Sequence, residues 1–319
     1  MAIKLFAEFQ SDQGQYYKIA IHDEDYSGSS PDEFKVTSGG FQLTYSGETD
    51  NIYSPIIGSS VSFGMYIQDS ATSDFVTNFK SVQEDRFFVE IFDGTESSPT
   101  LFWRGFIVQD IVSIEDAPQP FVLEIKAIDG IAKMKNEICD ETGIQQLTIQ
   151  FLKAINEIGY LDLFATDDVV LNVVCNWWAQ SMTFDANNNP LDETFLDMNT
   201  FGTLDDDGAV LGVTWNEVLS KICQIFGLRL YFSKGQYRLE QLFALDGTFT
   251  EHTYKKAFAT GAGNKVATKI GQTTGVSHTQ TINQTSNQAR LAGNIFNFLP
   301  AVGKVQLGVK KEGSAVDGR

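Results

Sequence analysis

The chain has few of the residues that form disulfides, hold metals or cross membranes. Its 319 residues include three cysteines and three histidines, and no run of about 18 apolar residues occurs. Cys139, Cys175 and Cys223 are widely spaced without a C-x-x-C pair, which is typical of buried thiols in a reducing compartment. The N-terminus lacks a basic region followed by an apolar core, so we expect a soluble chain without a secretory signal.

Catalytic and cofactor motifs are also missing. His22, His252 and His278 stand in polar contexts without metalloprotease spacing, so surface or loop positions are expected for them. No P-loop or G-x-S-x-G sequence occurs, and the glycines at Gly261 and Gly263 lack the strand-to-helix context of a dinucleotide site. A glycosidase pair cannot be chosen among 41 acidic residues without geometry. We predict no catalytic, cofactor-binding or metal-binding residue, and a chain that is not an enzyme.

Two acidic loops leave calcium binding open. The loop from Asp185 to Glu193 has oxygen ligands at EF-type spacing, but Pro190 replaces the glycine and Leu196 the bidentate glutamate of such a loop. The run from Asp205 to Asp207 is more typical of a turn than of a calcium site.

Basic residues are absent from one whole segment. Residues 1–153 contain 10 basic residues (Lys or Arg) and 24 acidic residues (Asp or Glu). Residues 154–220 contain no basic residue and 12 acidic residues, and residues 221–319 contain 13 basic and 5 acidic residues. The three net charges are −14, −12 and +8, within a total of −18. An acidic, solvated surface explains this balance, and the alternative is an acidic lumen that DNA crosses without sticking. No nucleic-acid-binding motif occurs, so specific binding is not expected.

What the chain does have is a strong β-pattern in residues 1–135. Alternating segments at Tyr16–His22, Phe41–Tyr45 and Val61–Ile67 predict strands, and Asp69–Val82 is expected to be a loop with a short helix. From Arg86 to Lys135 the pattern predicts a three-stranded meander. In its last strand Phe121, Leu123, Ile125 and Ala127 share the buried face. We predict an antiparallel β-barrel or sandwich over residues 1–135.

The pattern changes period after residue 135. Leu147, Phe151, Ile155 and Ile158 share one helix face, and Gly159 ends that helix, so residues 136–213 are interpreted as an acidic α/β insert. The predicted fold class is therefore α+β, mainly β.

A third domain is predicted over residues 214–319. Thr214–Glu217 is a capping box that begins a helix. Its predicted apolar stripe is Val218, Leu219, Ile222, Ile225 and Phe226. Gly227 should end the helix, and a hairpin should follow across Lys234–Gly235. The polar segment from Thr260 to Gln288 predicts a long loop or an arm that orders against a neighbouring subunit, and Ala301–Lys311 predicts a final strand.

The order of these motifs resembles one protein family. The strand with Trp103-Arg104-Gly105-Phe106, the Ala127-Ile-Asp-Gly-Ile131 sequence and the helix and hairpin of Val218–Leu239 are similar to hub proteins at the tip of bacteriophage tails and of related contractile injection machines. The resemblance implies a trimeric ring with tube-like β-barrels, a tail tube protein above it and a spike or fibre protein below it.

From this resemblance we expect a structural component of the virion tail tip, assembled in the host cytoplasm. It would join the tail tube to the spike or fibres and form part of the DNA-delivery channel, without specific DNA binding and without membrane insertion. The alternative is a carbohydrate-binding adhesin or another tail-associated, β-rich receptor-binding protein. Its stacking platforms would be Trp103, Trp177, Trp178 or Trp215. Of the adjacent pair Trp177 and Trp178, at most one is expected to be exposed.

Overall fold

The computed structural model shows a protein built mainly of β-strands. It describes residues 2–12, 14–46, 54–78, 86–109, 119–135, 138–139, 145–147, 170–175, 191, 194–197, 200–201, 203–204, 210–242, 249–256 and 267–276. Within these residues thirteen strands join one mixed sheet, accompanied by two α-helices and a short 3₁₀ helix. The predicted fold class, α+β and mainly β, is confirmed.

The first eight strands form a barrel-like unit. They are β1 (Ala2–Gln10), β2 (Tyr16–Asp23), β3 (Asp32–Glu33), β4 (Lys35–Ser46), β5 (Ile56–Ile67), β6 (Phe87–Thr95), β7 (Ser98–Ile107) and β8 (Phe121–Ile128). Antiparallel pairing runs in the order β1-β2-β6-β7-β8-β5. β3 pairs in parallel with β1, and β4, which follows almost directly, pairs with β5. This one stretch of chain therefore connects the two ends of the order and closes it.

Side chains fill the barrel because every second residue of a strand points inward. Fully buried inner residues include Leu5, Ile19, Ile21, Val61, Met65, Val89, Ile91, Leu123 and Ile125. At one end, Phe75 of helix α1 (Ser70–Asn78) packs edge-on against Phe87, with ring centroids 5.4 Å apart. At the other end four half-buried rings contact one another: Phe9, Tyr17, Phe41 and Phe102. The barrel is a packed core and not a pore.

The later part of the chain extends the same sheet. Its elements are the 3₁₀ helix Ile131–Lys135, β9 (Ile138–Cys139), β10 (Gln145–Leu147), β11 (Val170–Cys175), β12 (Phe195–Asp197), β13 (Thr203–Leu204), β14 (Val210–Leu211), β15 (Val213–Thr214), α2 (Trp215–Ile225), β16 (Leu228–Ser233), β17 (Gln236–Gln241), β18 (Phe249–Lys256) and β19 (Ala267–Val276). From β5 the sheet continues in the order β16-β17-β11-β18-β19, which we call the extension. The junction has two parallel residue pairs, Leu230 with Ile56 and Tyr231 with Ile57.

Helix α2 begins and ends where the sequence predicts. The Thr214 hydroxyl accepts a hydrogen bond from the Glu217 backbone, and the Glu217 carboxylate accepts one from the Thr214 backbone. Gly227 follows the helix with a left-handed φ of 58°. Three residues of the predicted stripe are fully buried: Val218, Leu219 and Ile222. The stripe prediction is wrong for Ile225, which is 65% exposed at the end of the helix.

Two other local predictions need correction. Ala267–Val276, predicted within a loop or an arm, form β19 and pair with β18 of the same chain. A strand at the edge of a sheet is held by backbone hydrogen bonds to its neighbour. The small number of apolar residues in β19 therefore did not exclude a strand. Leu147, predicted to begin a helix, lies in β10 opposite Phe195. The rest of that helix, from Phe151 to Gly159, and the strand predicted at Ala301–Lys311 lie outside the described residues. The division at residues 135 and 213 stays a prediction.

Candidate functional site

Strand β7 carries Trp103, Arg104 and Gly105, and its two large side chains lie on opposite sides of the sheet. Trp103 is opposite Ile91 and faces the barrel interior, whereas Arg104 is opposite Glu90 on the outer side. Each contacts a separate group of buried polar residues. We call these groups the Asp129 cluster (Ser59, Trp103, Asp129 and Tyr237) and the Glu90 cluster (His22, Glu90 and Arg104).

In the Asp129 cluster a buried carboxylate accepts hydrogen bonds from neutral donors. Asp129 Oδ2 accepts from the Ser59 backbone N at 2.5 Å and from Ser59 Oγ at 2.8 Å. Its Oδ1 accepts from the Ile131 backbone N at 3.1 Å. Trp103 Nε1 in turn donates to Ser59 Oγ at 2.9 Å. These bonds connect β5, β7, the end of β8 and the 3₁₀ helix.

The hairpin of β16 and β17 packs against the barrel at the Asp129 cluster. Tyr237 Oη donates to the Asp129 backbone O at 3.0 Å. The Gly235 backbone N, at the turn, donates to the Phe102 backbone O at 2.9 Å. Gly235 has a φ of 72°, and a Cβ at this position would lie 2.5 Å from the Leu101 backbone O. Only glycine therefore allows the turn to approach β7 so closely.

The described part of the chain places no cationic partner on Asp129. This residue is 1% exposed, and among the described residues no Lys, Arg or His side chain forms an ion pair with it. Burial raises the pKa of Asp129 from an ordinary value of 3.8 to about 6, although the hydrogen bonds from Ser59 and Ile131 act in the opposite direction. The charged form is therefore disfavoured at this position.

In the Glu90 cluster the carboxylate is paired on both sides. Arg104 Nε donates to Glu90 Oε1 at 2.7 Å, and Arg104 Nη2 contacts the same oxygen. His22 Nε2 lies 2.8 Å from Glu90 Oε2, and because a carboxylate only accepts, this nitrogen carries the proton. The His22 ring stacks on Phe88 with centroids 4.1 Å apart. Among the described residues His22 Nδ1 has no hydrogen-bond partner.

These partners reverse the effect of burial on Glu90. Burial alone raises the pKa of Glu90, but the hydrogen bond from His22 and the charge of Arg104 outweigh it and hold the pKa below its ordinary value of 4.5. The surface position predicted for His22 is wrong, since the residue is only 8% exposed. Its apolar body stacks on Phe88 and its polar edge has a carboxylate partner, which compensates for burial.

A third ionic group lies near the α1 end of the barrel. Asp23 accepts from Arg86 Nε at 2.8 Å and from Lys4 Nζ at 3.1 Å. Burial raises the pKa of Asp23, but the bonds from Arg86 and Lys4 outweigh it and lower the pKa below 3.8. This group joins β1, β2 and the residue before β6, so its role is to hold the strand ends together.

Gly105 lets β7 and β8 approach each other closely beside Trp103. A Cβ at this position would meet the Trp103 ring and the backbone O of Ile128. β7 and β8 pair only at Phe106–Ile128 and Ile107–Ala127, where this close approach occurs. Glycine is required here by space, because its φ is not in the left-handed region.

The other residues that the sequence suggested as candidate binding sites are either buried or lie outside the described residues. Trp103 and Trp215 are 0% and 2% exposed, so neither is available to stack on a sugar. Trp177, Trp178 and the Asp205–Asp207 run lie outside the described residues, as does the Asp185–Glu193 loop apart from Leu191. Cys223 is a buried free thiol, as predicted, and burial raises its pKa to about 12.

The described residues contain neither a metal-binding cluster nor a membrane-spanning helix. Within them no group of three or more His, Cys, Asp or Glu side chains is arranged to hold a metal ion. No helix in this part of the chain has the length and apolar character needed to cross a membrane.

Comparisons with known proteins give little. No protein-family model matches the chain, and no curated protein matches it. Among solved structures it is similar to the 43 kDa tail protein of prophage MuSo2 from Shewanella oneidensis, with 11% identity and a TM-score of 0.28. The match covers 64% of this chain and 55% of that chain, so this chain spans about half the length of that protein. A likeness at this level assigns neither a family nor a function.

Proposed function

We propose that the chain is a structural component of a bacteriophage tail tip. In this role it joins the tail tube to a distal spike or fibres, forms part of the DNA-delivery channel and is not an enzyme. A homo-oligomeric ring, with a trimer as the expected form, would sit between a tail tube protein and a spike or fibre protein. The location that follows is the virion tail tip, after assembly in the host cytoplasm.

This proposal is carried by one observation: the motif residues are buried and bond neighbouring strands to one another. Trp103, Arg104, Gly105 and Asp129 are the residues on which the resemblance to tail-tip hub proteins rests. Trp103, Arg104 and Asp129 are each at most 4% exposed, and their polar groups bond to neighbouring strands. These three side chains position strands and are not exposed to a substrate. A rigid building block needs such residues.

The packed barrel restricts how such a protein could form a channel. Its interior is filled by buried side chains, so DNA cannot pass through it. A channel must therefore lie between several copies of the chain. The acidic balance of residues 1–153 and 154–220 suits a surface that repels phosphates.

The proposal is tested by measuring the mass and the shape of the particle that the purified chain forms in solution. Light scattering should give three times the chain mass of 35.4 kDa, and negative-stain images should show a ring with an axial hole. Antibodies against the chain should label one end of isolated tails. A monomer in both measurements, together with labelling along the tail shaft or none at all, would overturn the proposal. Saturable binding of the monomer on a glycan array would favour the adhesin instead.

A further inference from the structure

We propose that Asp129 is a proton-operated latch, in which uptake of one proton by its buried carboxyl strengthens the docking of the β16–β17 hairpin on the barrel. This inference goes beyond the tail-tip role and does not depend on it. It concerns one contact within a single chain.

The geometry places Asp129 under the hairpin. Its carboxyl belongs to the barrel side, where it holds Ser59 and the 3₁₀ helix. Its backbone O accepts from Tyr237 of the hairpin, a residue only 2% exposed. Burial and the charge of Asp129 both raise the pKa of Tyr237, so the hairpin also lies near the carboxyl, and lifting it opens that side of the carboxyl to water. Covering a neutral carboxyl costs less than covering a charged one, so the docked hairpin prefers the protonated form.

The charged and titratable groups that the structure describes around Asp129 do not supply a counter-ion. Tyr237 of β17 and Tyr45 of β4 are neutral phenols at ordinary pH, and burial raises the pKa of both. Arg104 of β7 donates to Glu90 on the outer side of the sheet. Lys135, at the end of the 3₁₀ helix, is exposed. From β5 the only polar side chain on the carboxyl is that of Ser59.

The sign and size of the effect follow from linkage. With the hairpin docked, burial raises the pKa of Asp129 to about 6, and full exposure of the carboxyl to water would lower it towards the ordinary value of 3.8. The docked state then binds more protons between these two values, so docking strengthens as pH falls through about 6 and the gain is complete near 4. Between pH 7 and pH 5 the docking equilibrium should change about tenfold.

Hydrogen exchange of the full chain measures this equilibrium. The Leu230 and Gly235 amides donate to the barrel carbonyls of Pro55 and Phe102, so peptides covering residues 228–241 report docking. After correction for intrinsic exchange rates, their protection should rise about tenfold from pH 7 to pH 5 in the wild type. The rise should vanish in Asp129→Asn. It should persist in Asp93→Asn, a matched change at a half-buried carboxyl that accepts from Thr100.

A second variant keeps the test decisive if Asp129→Asn does not fold. The Ser59 hydroxyl lowers the pKa of Asp129, so Ser59→Ala should move the midpoint of the rise to higher pH. A wild-type hairpin whose protection is constant or falls on acidification would overturn the latch. So would an Asp129→Asn protein that keeps the full rise, or a Ser59→Ala protein with an unmoved midpoint.

Discussion

Glu90 and Asp129 are both buried carboxyls beside β7, with exposures of 6% and 1%, and their surroundings differ. Glu90 lies on the outer side of the barrel between Arg104 and His22, whereas the donors to the Asp129 carboxyl among the described residues are neutral groups of Ser59 and Ile131. Burial raises the pKa of Glu90, but the hydrogen bond from His22 and the charge of Arg104 outweigh it, whereas burial outweighs the neutral donors of Asp129 and raises its pKa to about 6. Partners, more than depth, determine the state of a buried acid.

The two clusters should therefore respond to acid in opposite ways. Glu90 has a folded pKa below its ordinary 4.5, so its stabilising contribution is present above about pH 4.5 and is lost as pH falls through the lower value. Asp129 has a folded pKa above its ordinary 3.8, so its burial penalty is relieved as pH falls from about 6 towards 4. Stability near pH 5 thus includes the full benefit of Glu90 and a reduced penalty from Asp129.

The largest effect should come from removing the cation of the Glu90 cluster. Arg104→Met keeps a long side chain but leaves the buried Glu90 with His22 alone. We expect the free energy of unfolding, measured with urea at pH 7.5, to fall by about 3–5 kcal/mol, because a buried charge has lost its partner.

The double variant Arg104→Met with Glu90→Gln is the control for this change. It removes both charges together, so it should be more stable than the single variant by at least about 1 kcal/mol. If the double variant is no better than Arg104→Met, the loss comes from packing of the long side chain. The inference that Glu90 depends on a cationic partner would then be wrong.

A smaller effect should come from crowding the close approach of β7 and β8 beside the Asp129 cluster. Gly105→Ala places a methyl group against the Trp103 ring and the Ile128 backbone O, and the backbone cannot easily move. We expect a loss of about 1–3 kcal/mol in urea unfolding, as for an overpacked core. Gly39→Ala is the matched control, since a Cβ there meets nothing within 4 Å. Equal losses in the two variants would contradict a close approach at Gly105.

Local patterns predicted the elements well. The alternation of Leu123, Ile125 and Ala127 and the capping box at Thr214 appear in the structure as expected. Glu90 also left a signal in the sequence. It is the one charged residue within the apolar run from Phe87 to Phe92, which is typical of a buried ion pair.

The partners of these residues depend on register and long-range contacts. Arg104 lies opposite Glu90, and a β-bulge between Ile91 and Phe92 then shifts the β6–β7 register, which sequence alternation cannot supply. Asp129 meets Ser59 across 70 residues and Tyr237 across 108. Bulges and distant pairings are tertiary features, so the Asp129 cluster was not predictable from local pattern.

The smallest effect should come from the neutral bond that joins Tyr237 to Asp129. Tyr237→Phe removes one hydroxyl and keeps the ring, so we expect a loss of about 1 kcal/mol in urea unfolding at pH 7.5. Tyr66→Phe, at a tyrosine that is 37% exposed on the outer face, is the control and should change nothing measurable. If Tyr237→Phe lowered the free energy of unfolding as much as Arg104→Met does, the neutral Asp129 cluster and the charged Glu90 cluster would not differ in strength as their partners imply. The Tyr237 hydroxyl would then be as important to the fold as a buried cation, although it bonds only to a backbone carbonyl.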